Sequence, residues 1–320
     1  MRRRLEQLSF KAMGTACSIT VTVVGDDVWS AERALAAARA EVAACERVLS
    51  RFLPGSDLSR LNAAAGAWIE ADPRLLDALD AALDARAETG GRFDPTVLPA
   101  LVAAGYDRSY EQLRPRLPTP LAGWRAGAAI EIDRLGSRAR LEPGAAVDLG
   151  GIGKGFSATR ALAAMRRAWP LVPGALVDLG GDLAIRGSAA DGEPWRIAVA
   201  HPNRPDERVA LLERSSGGVA TSGRDGRRFG PGRRYHHLID PTTGAPAADG
   251  PIAVTVAAGD AASAEAHATA LAITPVGRIP AYLAARPWLT AVVVPPGGAV
   301  YRIDAGLLDA ARTLMRGVPA

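Results

Sequence analysis

Lysine is nearly missing from this chain. Of its 38 basic residues only Lys11 and Lys154 are lysines. Lysine is a compact point charge and arginine a planar fork, so a lysine kept in an arginine background draws attention to its position. Cysteine is as scarce. Cys17 and Cys45 stand alone, which excludes a disulfide framework and a cysteine metal set. Aromatics make up 5% of the chain, so the core must be built mainly from Ala, Val, Leu and Ile. No apolar run reaches the ~18 residues that a membrane-spanning helix needs, and no stable membrane insertion is expected. No block of five or six like charges occurs, and the net charge is only +4, which argues against nucleic acid as a partner. The basic start MRRRLEQLSFKAMG lacks the apolar stretch of a secretory signal, and a cytoplasmic location is the expectation.

Other residues are plentiful. The 34 glycines and 23 prolines imply many turns and a strand-rich or mixed fold. With 48% hydrophobic and 22% charged residues the chain is not disordered. Its 320 residues fit one large domain or two. Residues 16–24 alternate and are β-branched, as in a strand. Helices are expected over 30–49, with Ser30 as cap, and over 73–89, with a loop at 50–62 between them. A strand pair is expected within 128–141, then a helix over 156–168. Short strands should follow at 175–179, 183–186, 195–200, 208–213, 218–221, 234–239, 252–257, 290–294 and 299–303. Two helices, 260–273 and 305–315, complete the pattern.

Four segments could carry chemistry. Residues 147–158, VDLGGIGKGFSA, read as strand, glycine turn and helix. Glycine lets backbone N–H groups approach an anion, and a helix start adds partial positive charge. Lys154 would add a full charge, so a phosphate-bearing ligand is one reading and a surface lysine in a turn is the other. No Ser or Thr follows the lysine, so the Walker pattern fails. Gly153-x-Gly155-x-x-Ala158, with Asp178 twenty residues beyond Ala158, approaches a dinucleotide fingerprint. The run of short strands that follows lacks the alternating helices of a parallel sheet. The second segment, RYHHLIDPTTGAP at 234–246, holds two of the four histidines. In a strand only one of His236 and His237 can face a cleft. Asp240 opens good turn chemistry, and local pattern alone fits a surface hairpin as well. In the third segment Glu265 and Thr269 are four apart and share a helix face. A carboxylate and a hydroxyl together suit a hard cation such as Mg²⁺. His267 points about 200° away from them. The fourth segment, Lys11-Ala-Met13-Gly14-Thr15, says little by itself.

Taken together these pieces resemble the FAD:protein FMN transferase family. The matching motifs run in family order. They are Met13-Gly14-Thr15, Ser56-Asp57-Leu58-Ser59-Arg60-Leu61-Asn62, and Gly90-Gly91-Arg92-Phe93-Asp94-Pro95-Thr96. Gly105-Tyr106, Asp148 to Gly155, Gly180-Gly181-Asp182 and Pro194-Trp195 follow. Thr221-Ser222-Gly223, His237-Leu238-Ile239-Asp240-Pro241-x-Thr243-Gly244 and the helix at 265–269 complete the series, over about residues 10–275.

The resemblance implies an enzyme that binds FAD and Mg²⁺. It implies transfer of FMN to a Thr or Ser hydroxyl of an acceptor protein as a phosphoester, with release of AMP. It places Met13, Thr15, Phe52, Ala104, Gly105, Tyr106, Asp148 and Lys154 at the FAD. It assigns the metal to the Gly151 carbonyl and the side chains of Glu265 and Thr269. His237 is the candidate proton acceptor, with Asp240 beside it in sequence. The same site could instead hydrolyse FAD to FMN and AMP, or hold FAD without turnover. Two positions depart from the family pattern: Glu265 stands where Asp is usual, and His267 where Leu is usual. The expected fold is α+β, with mixed and largely antiparallel sheets flanked by helices. Two intertwined lobes of a single domain, 1–320, should enclose FAD in their cleft.

Overall fold

A computed structural model of the chain describes residues 2–304, except 120, 225–227 and 298–299. The expected helix at 305–315 lies outside the described residues.

The centre is an eight-stranded sheet. Across it, in spatial order, run Arg3–Ala12, Thr15–Val24, Gly174–Leu179, Leu183–Gly187, Ser216–Gly223, Ala253–Ala258, Thr290–Val294 and Tyr301–Asp304. Every neighbouring pair is antiparallel. This topology excludes the dinucleotide-fold reading of Gly153 and Gly155, which needs parallel strands. Among the described residues the α-helices are α1 (Val28–Leu49), α2 (Asp57–Ala63), α3 (Pro73–Glu88), α4 (Leu98–Ala104), α5 (Gly153–Ala168), α6 (Ala261–Ala272) and α7 (Ile279–Ala284).

The period of two in the strands assigns residues to opposite faces of the sheet. Ile19, Val21 and Val23 meet α1 and α5 through Ala34, Ala38, Ala161 and Met165. Val254 and Val256 meet the small residues of α6. On the other face Ile185, Val219, Ala257 and Val292 pack under Trp195 and Leu212 of a long hairpin, Trp195–His201 with Arg204–Arg214. Helices thus cover one face and a hairpin the other. A three-stranded sheet of Ile69–Glu70, Arg138–Leu141 and Ile130–Asp133 stands apart.

Close approach positions α5 and α6. A Cβ on Gly155 would lie 2.1 Å from the Ala261 carbonyl oxygen, and one on Gly218 would lie 2.3 Å from Ala261 Cα. Alanines on nearly every side of α6 complete this tight seat. Asp260 caps α6 by accepting from the Ser263 amide.

Several elements differ from the sequence reading. The basic start is a full edge strand, paired residue for residue with Thr15–Val24. Asp27, not Ser30, caps α1. The expected loop at 50–62 contains α2, capped by Ser56. Helix α5 begins three residues early, at Gly153. The expected strand at 234–239 is two short strands, Tyr235–His236 and Ile239–Asp240, with different partners.

Candidate functional site

Two adjoining hollows, of about 460 and 400 Å³, form one cleft. They share Phe52, Tyr106, Asp148, Gly150 and Lys154. Each is in the size range of a small-molecule site.

The first hollow has a charged centre. Lys154, in the first turn of α5, places its Nζ 2.5 Å from Glu265 Oε1 and in contact with Asp182 Oδ2. Glu265 Oε2 accepts from the Gly155 amide at 2.7 Å. Both carboxylate side chains are buried. Burial, and then the neighbouring Asp182 charge, push the Glu265 carboxyl above its usual range. Burial alone would lower Lys154, but the charges of Asp182 and Glu265 outweigh it and keep the ammonium protonated. One turn beyond Glu265, Thr269 Oγ1 lies 3.4 Å from the Gly151 carbonyl oxygen and 3.4 Å from Ser222 Oγ. Gly151 must lack a side chain, because a Cβ there would lie 2.9 Å from Thr269 Oγ1.

These are hard oxygen donors: two carboxylates, two hydroxyls and a carbonyl. Among the described residues no cluster of three or more His, Cys, Asp or Glu is arranged to hold a metal. A site of one or two carboxylates with neutral oxygens and a phosphate ligand is the pattern Mg²⁺ takes, so the residues present fit that ion. The charge balance agrees, since one ammonium stands against two carboxylates.

The shared waist of the cleft is aromatic. Arg51 Nε sits 2.5 Å from Asp148 Oδ2, and its guanidinium lies 4.1 Å from the Phe52 ring centre and 5.2 Å from that of Tyr106. It also donates to the Tyr106 carbonyl at 3.1 Å. The Tyr106 ring centre is 6.4 Å from that of Phe52, 5.5 Å from Phe229 and 6.2 Å from His237. Gly105, left-handed at φ 109°, ends α4 and turns Tyr106 into the cleft.

The sequence candidates divide accordingly. Phe52, Tyr106, Asp148, Lys154, Gly151, Glu265, Thr269 and His237 line the first hollow, and Met13 lines the second. Thr15, Ala104 and Gly105 do not line either. Ala104 is core, and Thr15 lies under Gly180, where a Cβ would come within 2.4 Å of its hydroxyl. The histidine pair splits, although His237 lies just past the end of the Tyr235–His236 strand. His236 is buried against the Ala247 carbonyl at 3.0 Å, and His237 faces the cleft. Asp240 stands at the head of the turn that follows, its carbonyl accepting from the Thr243 and Gly244 amides. Its carboxylate accepts from the amide and hydroxyl of Thr242 at 2.9 and 2.7 Å and fixes the turn. His267 faces away from the cleft, with Nδ1 2.6 Å from the Tyr282 hydroxyl, and burial lowers its pKa to about 4.

Arg51, Arg92, Asp182 and Ser222 are cleft residues that sequence reasoning did not single out. Arg92, Asp182 and Ser222 stand inside recognised motifs, which was the available signal. Arg51 had none, since its partner Asp148 is 97 positions away.

An antiparallel α+β fold with a carboxylate-centred, glycine-lined cleft defines the class. Comparison with known proteins gives the family. The ApbE family model matches residues 13–293. The FAD:protein FMN transferase of Salmonella typhimurium is 30% identical over 276 residues, covering 83% of this chain and 77% of that protein. The enzyme of the same name from Treponema pallidum is 31% identical over 293 residues, covering 84% and 78%. Among solved structures, the ApbE protein of Thermotoga maritima superposes with a TM-score of 0.81 at 29% identity, covering 95% of this chain and 99% of its own. The flavinyl transferase ApbE of Pseudomonas stutzeri, in its apo form, gives 0.78 at 25% identity, covering 96% of each chain. The chain belongs to the ApbE family.

Proposed function

We propose that this protein is an FAD:protein FMN transferase that moves FMN from FAD to a Thr or Ser hydroxyl of an acceptor protein. One observation carries the reading. Residues from Met13 to Thr269, drawn from separate motifs, converge on a single two-part cleft. The shared aromatic waist suits a flavin ring, and the charged centre of the first hollow suits a pyrophosphate. The names of the relatives point to the same chemistry.

In the proposed reaction the acceptor hydroxyl oxygen attacks the FMN phosphorus of the FAD pyrophosphate. A new P–O bond forms, the bond to the bridging oxygen breaks, and AMP leaves with that oxygen. His237 accepts the hydroxyl proton. Phe52 and Tyr106 hold the ring system by their faces and edges. Arg51 fixes both aromatics and the Asp148 carboxylate between them. Gly151, through its carbonyl, and the side chains of Glu265 and Thr269 would hold Mg²⁺. Bound there, the ion supplies charge neutralisation at the pyrophosphate. Phosphoryl transfer depends mainly on such positioning and charge stabilisation.

The test is to incubate the chain with FAD, Mg²⁺ and a protein carrying a threonine acceptor, and to quantify nucleotides and attached flavin together. The expected result is one AMP released per flavin attached, abolished by EDTA. Free FMN with AMP and no attached flavin would replace transfer by hydrolysis. Intact FAD that co-elutes with the protein would leave only a binder.

A further inference from the structure

We infer that Arg92 is a phosphate-binding residue that holds the pyrophosphate of the dinucleotide, an inference that rests on the flavin-transferase reading. The charges around the first hollow are mostly paired. Lys154 is engaged by Asp182 and Glu265. Arg51 is engaged by Asp148. Asp94 is satisfied on both oxygens, by the Thr96 amide and hydroxyl at 2.8 and 2.7 Å and by the Gly127 amide at 2.7 Å. Fully ionised, these six groups leave two negative charges in excess around the first hollow. A pyrophosphate diester brings two more. Such a ligand calls for positive charge from the protein's side chains as well as from the proposed Mg²⁺.

Arg92 is the lining cation left to supply it. It lines the first hollow with Gly151, Ser222, Glu265 and Thr269, and it does not line the second. Its guanidinium makes no hydrogen bond or ion pair to any described residue. The backbone delivers it there. Gly90 and Gly91 are both left-handed, at φ 64° and 77°, and the Gly91 amide bonds back to the Arg86 carbonyl at 2.8 Å. Immediately after Arg92, the Phe93 amide donates to Thr89 Oγ1 at 3.1 Å. The chain is thus pinned on both sides of Arg92 while its side chain stays uncommitted. A planar, permanently charged fork is the group suited to two phosphate oxygens at once.

The experiment compares flavin affinities by fluorescence titration of the full chain. The ligands are FAD, which carries the pyrophosphate, and riboflavin, which has the same ring and no phosphate. Arg92→Gln should weaken FAD roughly tenfold to a hundredfold, the range for a lost charged hydrogen bond, and leave riboflavin affinity unchanged. Arg92→Lys, which keeps the charge, should recover part of the FAD affinity and guards against a folding defect in the first variant. FAD affinity at the wild-type level in Arg92→Gln would overturn this assignment alone. Equal loss of FAD and riboflavin, unrecovered in Arg92→Lys, would also overturn it, because the residue would then be structural. A wild-type chain that binds no FAD would overturn the flavin reading itself and this assignment with it.

Discussion

The two walls of the cleft are built in opposite ways. The α5–α6 wall is regular structure held by close backbone contact, with Gly155 and Gly218 pressed against Ala261. It carries the charged groups Lys154 and Glu265 and the hydroxyl of Thr269. The facing wall is made of turns and two-residue strands, and it carries Phe52, Tyr106 and His237. Ring-to-ring distances of 5.5 to 6.4 Å hold its aromatics together. The difference follows from what each wall must do. Buried charges cost several kcal/mol each unless their partners are held in place, which requires a rigid frame. A flat ring is bound by broad faces that tolerate small displacements.

The largest way to break this contrast is Gly155→Ala. The added methyl carbon would meet the Ala261 carbonyl oxygen at 2.1 Å. Moving α5 from α6 should cost about 3 kcal/mol by urea denaturation, as overpacking does. Unchanged stability would mean that the wall is not rigid. Next comes the facing wall. His237→Ala should lower the transfer rate by ~100-fold or more, while FAD affinity and stability hold. A fully active variant would remove His237 from proton transfer.

A pH series sharpens the comparison further. His267 sits on the far side of α6 with a pKa lowered to about 4 by burial. The folded state resists its protonation, so this residue costs stability as pH falls from 6.5 towards 4. Glu265, raised by burial, acts in the opposite sense and favours the folded state as pH falls. His267→Leu should therefore gain stability relative to wild type on acidification, on the order of 3 kcal/mol at pH 4. Denaturation curves with parallel pH dependence would contradict this. The smallest effect is expected at the rim. Phe52 is 43% exposed, so Phe52→Ala should leave stability nearly unchanged. Its loss should weaken flavin affinity about threefold to tenfold, the worth of one aromatic contact.

Local spacing carried much of this site into view. Glu265 and Thr269, four apart, do share a face of α6 and reach the cleft together. His236 and His237 do separate, one buried and one in the cleft, although His237 lies beyond the end of its strand. Lys154, picked out by the scarcity of lysine, stands at the charged centre. Its partners were not legible, because Asp182 and Glu265 lie 28 and 111 positions away and only the sheet brings them in. Asp240 fixes its own turn through Thr242, because in a tight turn an Asp side chain bonds nearby backbone first. Helix α2 was missed because seven residues give too short a periodic signal. The antiparallel order of the sheet was foreshadowed by short strands without intervening helices, but its register is a product of packing.

The central claim is that one wall takes the ring and the other the pyrophosphate. A crystal structure of the chain soaked with FAD tests it most directly. The account predicts the isoalloxazine between Phe52 and Tyr106, with the pyrophosphate within hydrogen-bond reach of the Lys154, Thr269 and Arg92 side chains. A pyrophosphate at the aromatic wall, or a flavin ring seated against Glu265, would contradict it.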